Sequence, residues 1–157
     1  MGVFRFSQPN ILKIMTIAVD FDGTIVEHKY PDIGEELPFA TETLKMLIKD
    51  QHRLILWSVR EGKLLDDAIN WCRERGVEFW AVNKDYPEEK REWNESFSRK
   101  IKADVWIDDR NIGGLPDWGL IYQMIHDGVT FKDLIAEATR RSTGQEEAPK
   151  KKHWWSR

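Results

Sequence analysis

Four short apolar runs punctuate the chain: "IMTIAV" (14–19), "LILW" (54–57), "VEFWAV" (77–82) and "ADVWI" (103–107). Each is rich in β-branched or aromatic residues and hands over at once to a polar one: Asp20, Ser58, Asn83 and Asp108. Near-continuous apolarity, rather than strict alternation, predicts strands covered on both faces, as in a parallel sheet. The segments between them carry helical spacing. Ala40, Leu44, Leu47 and Ile48 line one; Leu64, Leu65, Ala68, Ile69 and Cys72 line a second; Trp93, Phe97 and Ile101 mark a third. Pro38 and Pro87 stand where first-turn prolines belong. Asp117 is placed to cap a helix through "WGLIYQMIHDG", and "FKDLIAEATR" reads as the last one. Alternating strand and helix predict a doubly wound α/β domain with helices on both faces of a parallel sheet. Ligands of such folds bind beyond the carboxyl ends of the strands, where Asp20, Ser58 and Asp108 all fall.

A chain of 157 residues is long enough for one well-packed domain and short for two. Residues 1–141 are read as that domain, with 1–14 as an N-terminal extension before Met15, itself a plausible start. The stretch 142–157 is a basic, aromatic tail that loses all periodicity and is expected to be disordered. Its Lys150, Lys151, Lys152, Trp154 and Trp155 leave open a docking role beside that of a solvated end. A net charge of −3 gives no support to a polyanion-binding surface, although an oligonucleotide end stays within the range of substrates. The single cysteine, Cys72, excludes an internal disulfide, suits a reducing compartment and reads as a small buried hydrophobe. With no apolar run of membrane-spanning length and no signal-type cleavage site, the expectation is a cytoplasmic protein without a membrane partner. Trp57, Trp80 and Trp106 fall within predicted strands and Trp93 and Trp118 on predicted helices, so core positions are expected for them.

The chemistry concentrates in "AVDFDGTIV" (18–26), where two carboxylates flank a phenylalanine at the end of a strand. D-x-D-G-T arises by chance in about one chain in a thousand of this length. Asp20 at the strand end is placed to attack phosphorus and form an acyl phosphate that water then hydrolyses. Asp22 is near enough to protonate the leaving oxygen and later to deprotonate that water. Gly23 permits a tight departure from the strand and Thr24 a hydrogen bond across the loop. Asp108 and Asp109 close another apolar run, bringing up to four negative groups together. At 4 Å each like-charged pair costs about 1 kcal/mol in water and about 4 kcal/mol at an effective dielectric of 20. A hard divalent cation removes that penalty, and an all-oxygen donor set suits Mg²⁺. The expected ligands are the side chains of Asp20 and Asp108 with the main-chain carbonyl of Asp22, Asp109 acting through water. Ser58 offers a hydroxyl and a backbone N–H to a phosphoryl oxygen. Lys100 is the preferred cation to neutralise the phosphoryl group, with Lys102 and Arg99 as competitors. Arg60 is placed to hold an anionic part of the substrate, or to be an ordinary surface arginine.

Assembled in this order, the residues resemble the haloacid dehalogenase superfamily. Asp20-Phe21-Asp22-Gly23-Thr24 is similar to its first motif, Ser58 after an apolar strand to its second, Lys100 to its third and Asp108-Asp109 to its last. The resemblance spans roughly residues 15–127. It implies a three-layer Rossmann-like sheet, Mg²⁺ dependence and an aspartyl-phosphate intermediate. Dehalogenating members lack the acid two residues after the nucleophile and ion-pumping ATPases carry threonine there, so Asp22 points to phosphatase or phosphotransferase chemistry. Larger relatives insert cap domains; the short gaps here leave no room for one. The resulting expectation is a capless Mg²⁺-dependent phosphomonoester hydrolase acting on a phosphorylated substrate of undefined class. Its rivals are phosphotransfer to a second substrate and, from another class, a phospho-accepting receiver-like or phosphate-binding module. Receivers place their paired acids after the first strand and the acceptor aspartate after a middle one, the reverse of the order here.

Overall fold

The side chains of the first strand, β1 (Thr16–Val19), divide between two apolar clusters. Ile17 and Val19 enter the main core while Ala18 faces the other way. The same alternation runs through β2 (Arg53–Leu56), β3 (Ala81–Val82) and β4 (Val105–Ile107). Leu54, Leu56, Val82, Val105 and Ile107 join the main core; Ile55, Ala81 and Trp106 line the opposite face. Both faces are therefore apolar, which is why the sequence shows continuous runs. The computed structural model describes residues 13–90 and 98–144.

The strands form one parallel sheet in the order β3-β2-β1-β4. Helices α1 (Ala40–Lys49), α2 (Gly62–Glu74) and α3 (Trp118–Asp127) contribute Leu44, Leu47, Ala68, Cys72, Ile121 and Ile125 to the main core. On the other face Ile101 and Ala103 pack with the sheet residues and with Trp57, Trp80 and Trp106. A last helix, α4 (Phe131–Thr143), starts with a Thr130–Asp133 capping box and buries no residue of its own. The architecture is the expected α/β class, with a parallel sheet of the three-layer, Rossmann-like type; among the described residues α1, α2 and α3 all pack on the main-core face and no cap domain is present. No helix among the described residues is long and apolar enough to cross a membrane.

The chain lays down β1, β2 and β3 in one direction and then crosses to the far side of β1 to add β4. The sheet therefore reverses its winding between β1 and β4, and their carboxyl ends flank the switch point at which such folds open a crevice. Asp20 follows one strand and Asp108 the other. The Asp20 N–H still donates to the Ile107 carbonyl at 3.0 Å, so the two strand ends are held level.

Several local expectations are corrected. Pro38 lies outside the first turn of α1: the helix begins at Ala40 behind a left-handed Phe39 (φ 65°). Glu36 caps it instead, its carboxylate accepting from the Thr41 N–H at 2.9 Å and hydroxyl at 2.6 Å. "VEFWAV" contributes only its last two residues to the sheet, as an edge strand. Pro87 sits in a turn, its carbonyl accepting from Lys84 Nζ at 2.7 Å. Residues 98–104 are not helical, and the Trp93 and Phe97 positions of the third expected helix lie outside the described residues, as do 1–12 and the basic aromatic part of the tail. Trp57, Trp80 and Trp106 are half-buried rather than enclosed, whereas Trp118 is fully buried.

Trp118 also ties the fold to the cleft. Its indole N–H donates to the Thr24 carbonyl at 3.0 Å, and its own carbonyl accepts from Thr43 Oγ1 at 3.2 Å. The start of α3 thus locks the loop after β1 against α1. Asp117 caps α3 as its sequence position predicts, accepting from the Leu120 N–H at 2.9 Å. Replacing it should lower global stability modestly: Asp117→Ala is expected to cost about 1 kcal/mol in chemical denaturation, and an unchanged midpoint would contradict the cap's contribution.

Candidate functional site

Two parallel strands that end side by side deliver their next residues to one place. The carboxylates of Asp20, Asp108 and Asp109 each offer an oxygen, and these oxygens all lie within 4.8 Å of one another. The loop after β1 turns tightly to permit this. Gly23 has φ +87°, and a β-carbon on it would fall 2.4 Å from Asp109 Oδ2, so only glycine fits. Thr24 accepts the Asp109 N–H on its hydroxyl at 3.0 Å and donates that hydroxyl to Asp20 Oδ2 at 3.1 Å. One buried threonine therefore fixes an acid from each strand. Asp108 Oδ1 accepts from the Arg110 N–H at 2.8 Å, turning the chain away from the cluster.

Burial pushes the Asp20 carboxyl up to about 6. Hydrogen bonds from the Phe21 backbone and the Thr24 side chain pull it partly back, and the charges of Asp108 and Asp109 add to the rise. A half-buried carboxylate crowded by two others is the electrostatic situation a cation relieves. The donors are all hard oxygens, which fits Mg²⁺ rather than a thiolate- or imidazole-seeking metal. The Asp22 carboxylate stands outside the group of three, so any share it takes in holding a cation is through its main-chain carbonyl. Asp109 stands closer than expected, its carboxylate being a full member of the group.

Asp22 turns instead toward Arg60. The guanidinium meets both carboxylate oxygens, Nε to Oδ2 and Nη2 to Oδ1, each at 2.7 Å. It also donates to the main-chain carbonyls of Pro31 and Asp32 at 2.9 Å. Arg60 is therefore neither a surface arginine nor free to take an anionic part of a substrate: its side chain is wholly buried and engaged with protein.

Asp20, Asp22 and Asp108 open into a cleft of about 770 Å³ whose walls also include Ser58, Tyr30, Asn83 and Arg99. The Ser58 backbone N–H is not available to a ligand, because Asn83 Oδ1 accepts it at 2.8 Å while Asn83 Nδ2 donates to the Ser58 carbonyl at 2.8 Å. The Ser58 hydroxyl accepts the Arg60 N–H at 3.2 Å and keeps its own proton to donate. Lys100 is not on the cleft wall; its ammonium stands 5.1 Å from the centre of the Trp106 ring, on the second apolar face. Arg99, the competitor one residue earlier, lines the cleft. Lys102 does not, and its N–H bonds Asp85 Oδ1 at 2.6 Å. Sequence reasoning missed Asn83, although it is the polar residue closing the third apolar run, in the same relation to its strand as Asp20, Ser58 and Asp108.

Cys72 is buried as expected. Desolvation pushes its thiol up to about 12, which leaves it unreactive.

Fold and site together define a Rossmann-like α/β protein with an acidic, cation-suited cleft at its topological switch point. The chain is 69% identical to a conserved protein from Bacteroides thetaiotaomicron whose structure has been solved. The match covers 77% of this chain and 97% of that one, with a TM-score of 0.72, and the chain belongs to the same family as that protein. No protein-family model and no curated protein matches the chain.

The Asp20 shift has a measurable sign. Between the ordinary 3.8 and about 6 the folded chain keeps a proton that the unfolded chain has released, so metal-free stability falls as pH rises through that window. Asp20→Asn removes this loss. In chelator, the melting temperature of the variant relative to wild type should rise between about pH 4 and about pH 7. A difference that stays flat across the window would show that Asp20 carries no such penalty.

Proposed function

We propose that the protein is a Mg²⁺-dependent phosphomonoester hydrolase of the haloacid dehalogenase type. The observation that carries this reading is the meeting of the Asp20, Asp108 and Asp109 oxygens within 4.8 Å of one another, at a cleft that Asp22 and Ser58 also line. Carboxylates so crowded suit a cation, and a cation beside a nucleophilic aspartate suits an anionic ester.

Asp20 and Asp108 would hold the ion, with Asp109 directly or through water, and Mg²⁺ when bound supplies charge stabilisation to the phosphoryl oxygens. The chain's own groups carry the rest. An Asp20 carboxylate oxygen attacks phosphorus; the Asp20–phosphorus bond forms as the bond from phosphorus to the leaving oxygen breaks. Asp22 gives that oxygen its proton and then takes one from the water that cleaves the acyl phosphate, releasing inorganic phosphate and restoring Asp20. Each Asp22 oxygen accepts one hydrogen bond from Arg60 and retains a second lone pair; Asp22 would enter the cycle carrying its proton on one of these, and the proton taken from water restores that state. The Ser58 hydroxyl donates to a phosphoryl oxygen, and Arg99 replaces Lys100 as the cation that meets the phosphoryl charge.

Phosphotransfer uses the same residues, and the size of the cleft keeps it as a second reading, because the cleft has room for an acceptor alcohol as well as the phosphate ester. Product analysis with a competing alcohol separates the two. Wild-type protein should hydrolyse p-nitrophenyl phosphate only with Mg²⁺ present. Asp20→Asn should lower turnover by at least about four orders of magnitude, as removal of a nucleophile does, while the fold persists by circular dichroism. Appreciable phosphatase activity in that variant would sink the assignment of the nucleophile.

A further inference from the structure

The Arg60 side chain donates four hydrogen bonds, all of them to protein, so the substrate-holding role expected from its place in the sequence is closed to it. It lies two residues beyond Ser58 and passes beneath the cleft, where its side chain has no solvent exposure. Two of its bonds are the parallel 2.7 Å contacts that fix both oxygens of Asp22. The other two, at 2.9 Å, reach the carbonyls of Pro31 and Asp32. Those carbonyls belong to a flap that folds back on itself, with the Glu27 N–H donating to the Glu35 carbonyl at 2.8 Å and Val26 bridging Glu36. The guanidinium carbon lies 5.2 Å from the centre of the Phe21 ring and 5.3 Å from that of Tyr30. The fork therefore has apolar rings around it, acceptors on its edges and no room to reorient.

A planar fork on both oxygens of an aspartate sets the direction of the carboxylate as well as its place. Asp22 meanwhile lines the cleft, and so do His28 and Tyr30 from the flap that Arg60 grips. We propose that Arg60 is a positioning residue for the acid–base aspartate: it aims Asp22 at the leaving-group oxygen and couples that aim to the flap forming part of the cleft wall. The inference rests on the phosphatase reading of the same site. It assigns Arg60 no contact with substrate, unlike the role its place after Ser58 suggests.

The consequence appears in leaving-group dependence. A basic phenolate needs the Asp22 proton to depart, whereas p-nitrophenolate leaves as a delocalised anion with far less help. Arg60→Lys keeps the charge but lacks the fork, so Asp22 loses its direction. Misplacing a catalytic group by about 1 Å costs on the order of 10²-fold. Arg60→Lys should therefore lower kcat/KM for phenyl phosphate by about that factor, and by well under tenfold for p-nitrophenyl phosphate. The ratio kcat/KM is the right readout because it reports only the steps through formation of the Asp20 acyl phosphate. Equal losses on the two substrates would overturn the proposal.

A second comparison needs no folded Arg60→Lys. Asp22→Asn/Arg60→Gln replaces the buried ion pair by a neutral pair of amides, which leaves no unpaired buried charge. If Arg60 works through Asp22, adding Arg60→Gln to Asp22→Asn should change p-nitrophenyl phosphate kcat/KM by no more than about twofold, since the effects of groups acting as one unit do not add. A further loss of about tenfold or more would show that Arg60 acts on turnover by a route other than Asp22 and overturn the proposal. Wild-type protein with no Mg²⁺-dependent turnover at all would instead remove the phosphatase reading, and this inference with it.

Discussion

The mutual repulsion of three carboxylates at the switch point is the constraint around which the rest of the structure is arranged. Parallel pairing of β1 with β4 brings the strand ends level, and each strand is followed directly by an acid. The chain then uses its surroundings to hold these acids close. Gly23 removes the β-carbon that would strike Asp109, Thr24 bridges Asp20 and Asp109, and Trp118 pins Thr24 from below. Each of these contacts keeps like charges together, a cost that a cation between them, or a proton on Asp20, would relieve. Burial above all, reinforced by the charges of Asp108 and Asp109, raises the Asp20 pKa to about 6.

Arg60 changes the composition of the cluster. Four acids in one pocket would be a poor starting point for a reaction that needs one nucleophile and one proton carrier. Pairing Asp22 with a buried guanidinium separates it from the other three, while Asp22 still lines the cleft. Two carboxylates two residues apart thus acquire different surroundings: one crowded by other acids at the cleft, the other matched by a buried, fixed cation. Divergent environments for paired acids are the usual way a site assigns them different roles.

The fold was legible because a doubly covered parallel strand leaves a distinctive run of apolar residues, and each of the four runs does supply a strand. Asp20, Asp108 and Asp109 were legible for the same reason, since a polar residue ending such a run must emerge at the ligand-binding edge. Side-chain direction was not. Nothing in "SVREG" distinguishes an arginine reaching into the cleft from one reaching beneath it; the acceptors that settle it, Asp22 and the Pro31 and Asp32 carbonyls, lie 28 to 38 residues away. Lys100 misled for a related reason. Its spacing from Asp108 suits a third motif, but in a non-helical stretch one residue's difference sends Arg99 to the cleft and Lys100 onto Trp106. Asn83 showed the right pattern and went unused because an amide carries no charge to attract notice.

The central claim is that Asp20 becomes covalently phosphorylated during turnover. It is tested most directly by quenching the protein in acid while it turns over substrate, reducing any acyl phosphate with tritiated borohydride and locating the label by peptide sequencing. The account predicts Mg²⁺-dependent labelling at position 20 that disappears in Asp20→Asn. Labelling at Asp108 or Asp22, or turnover with no label at any aspartate, would contradict it.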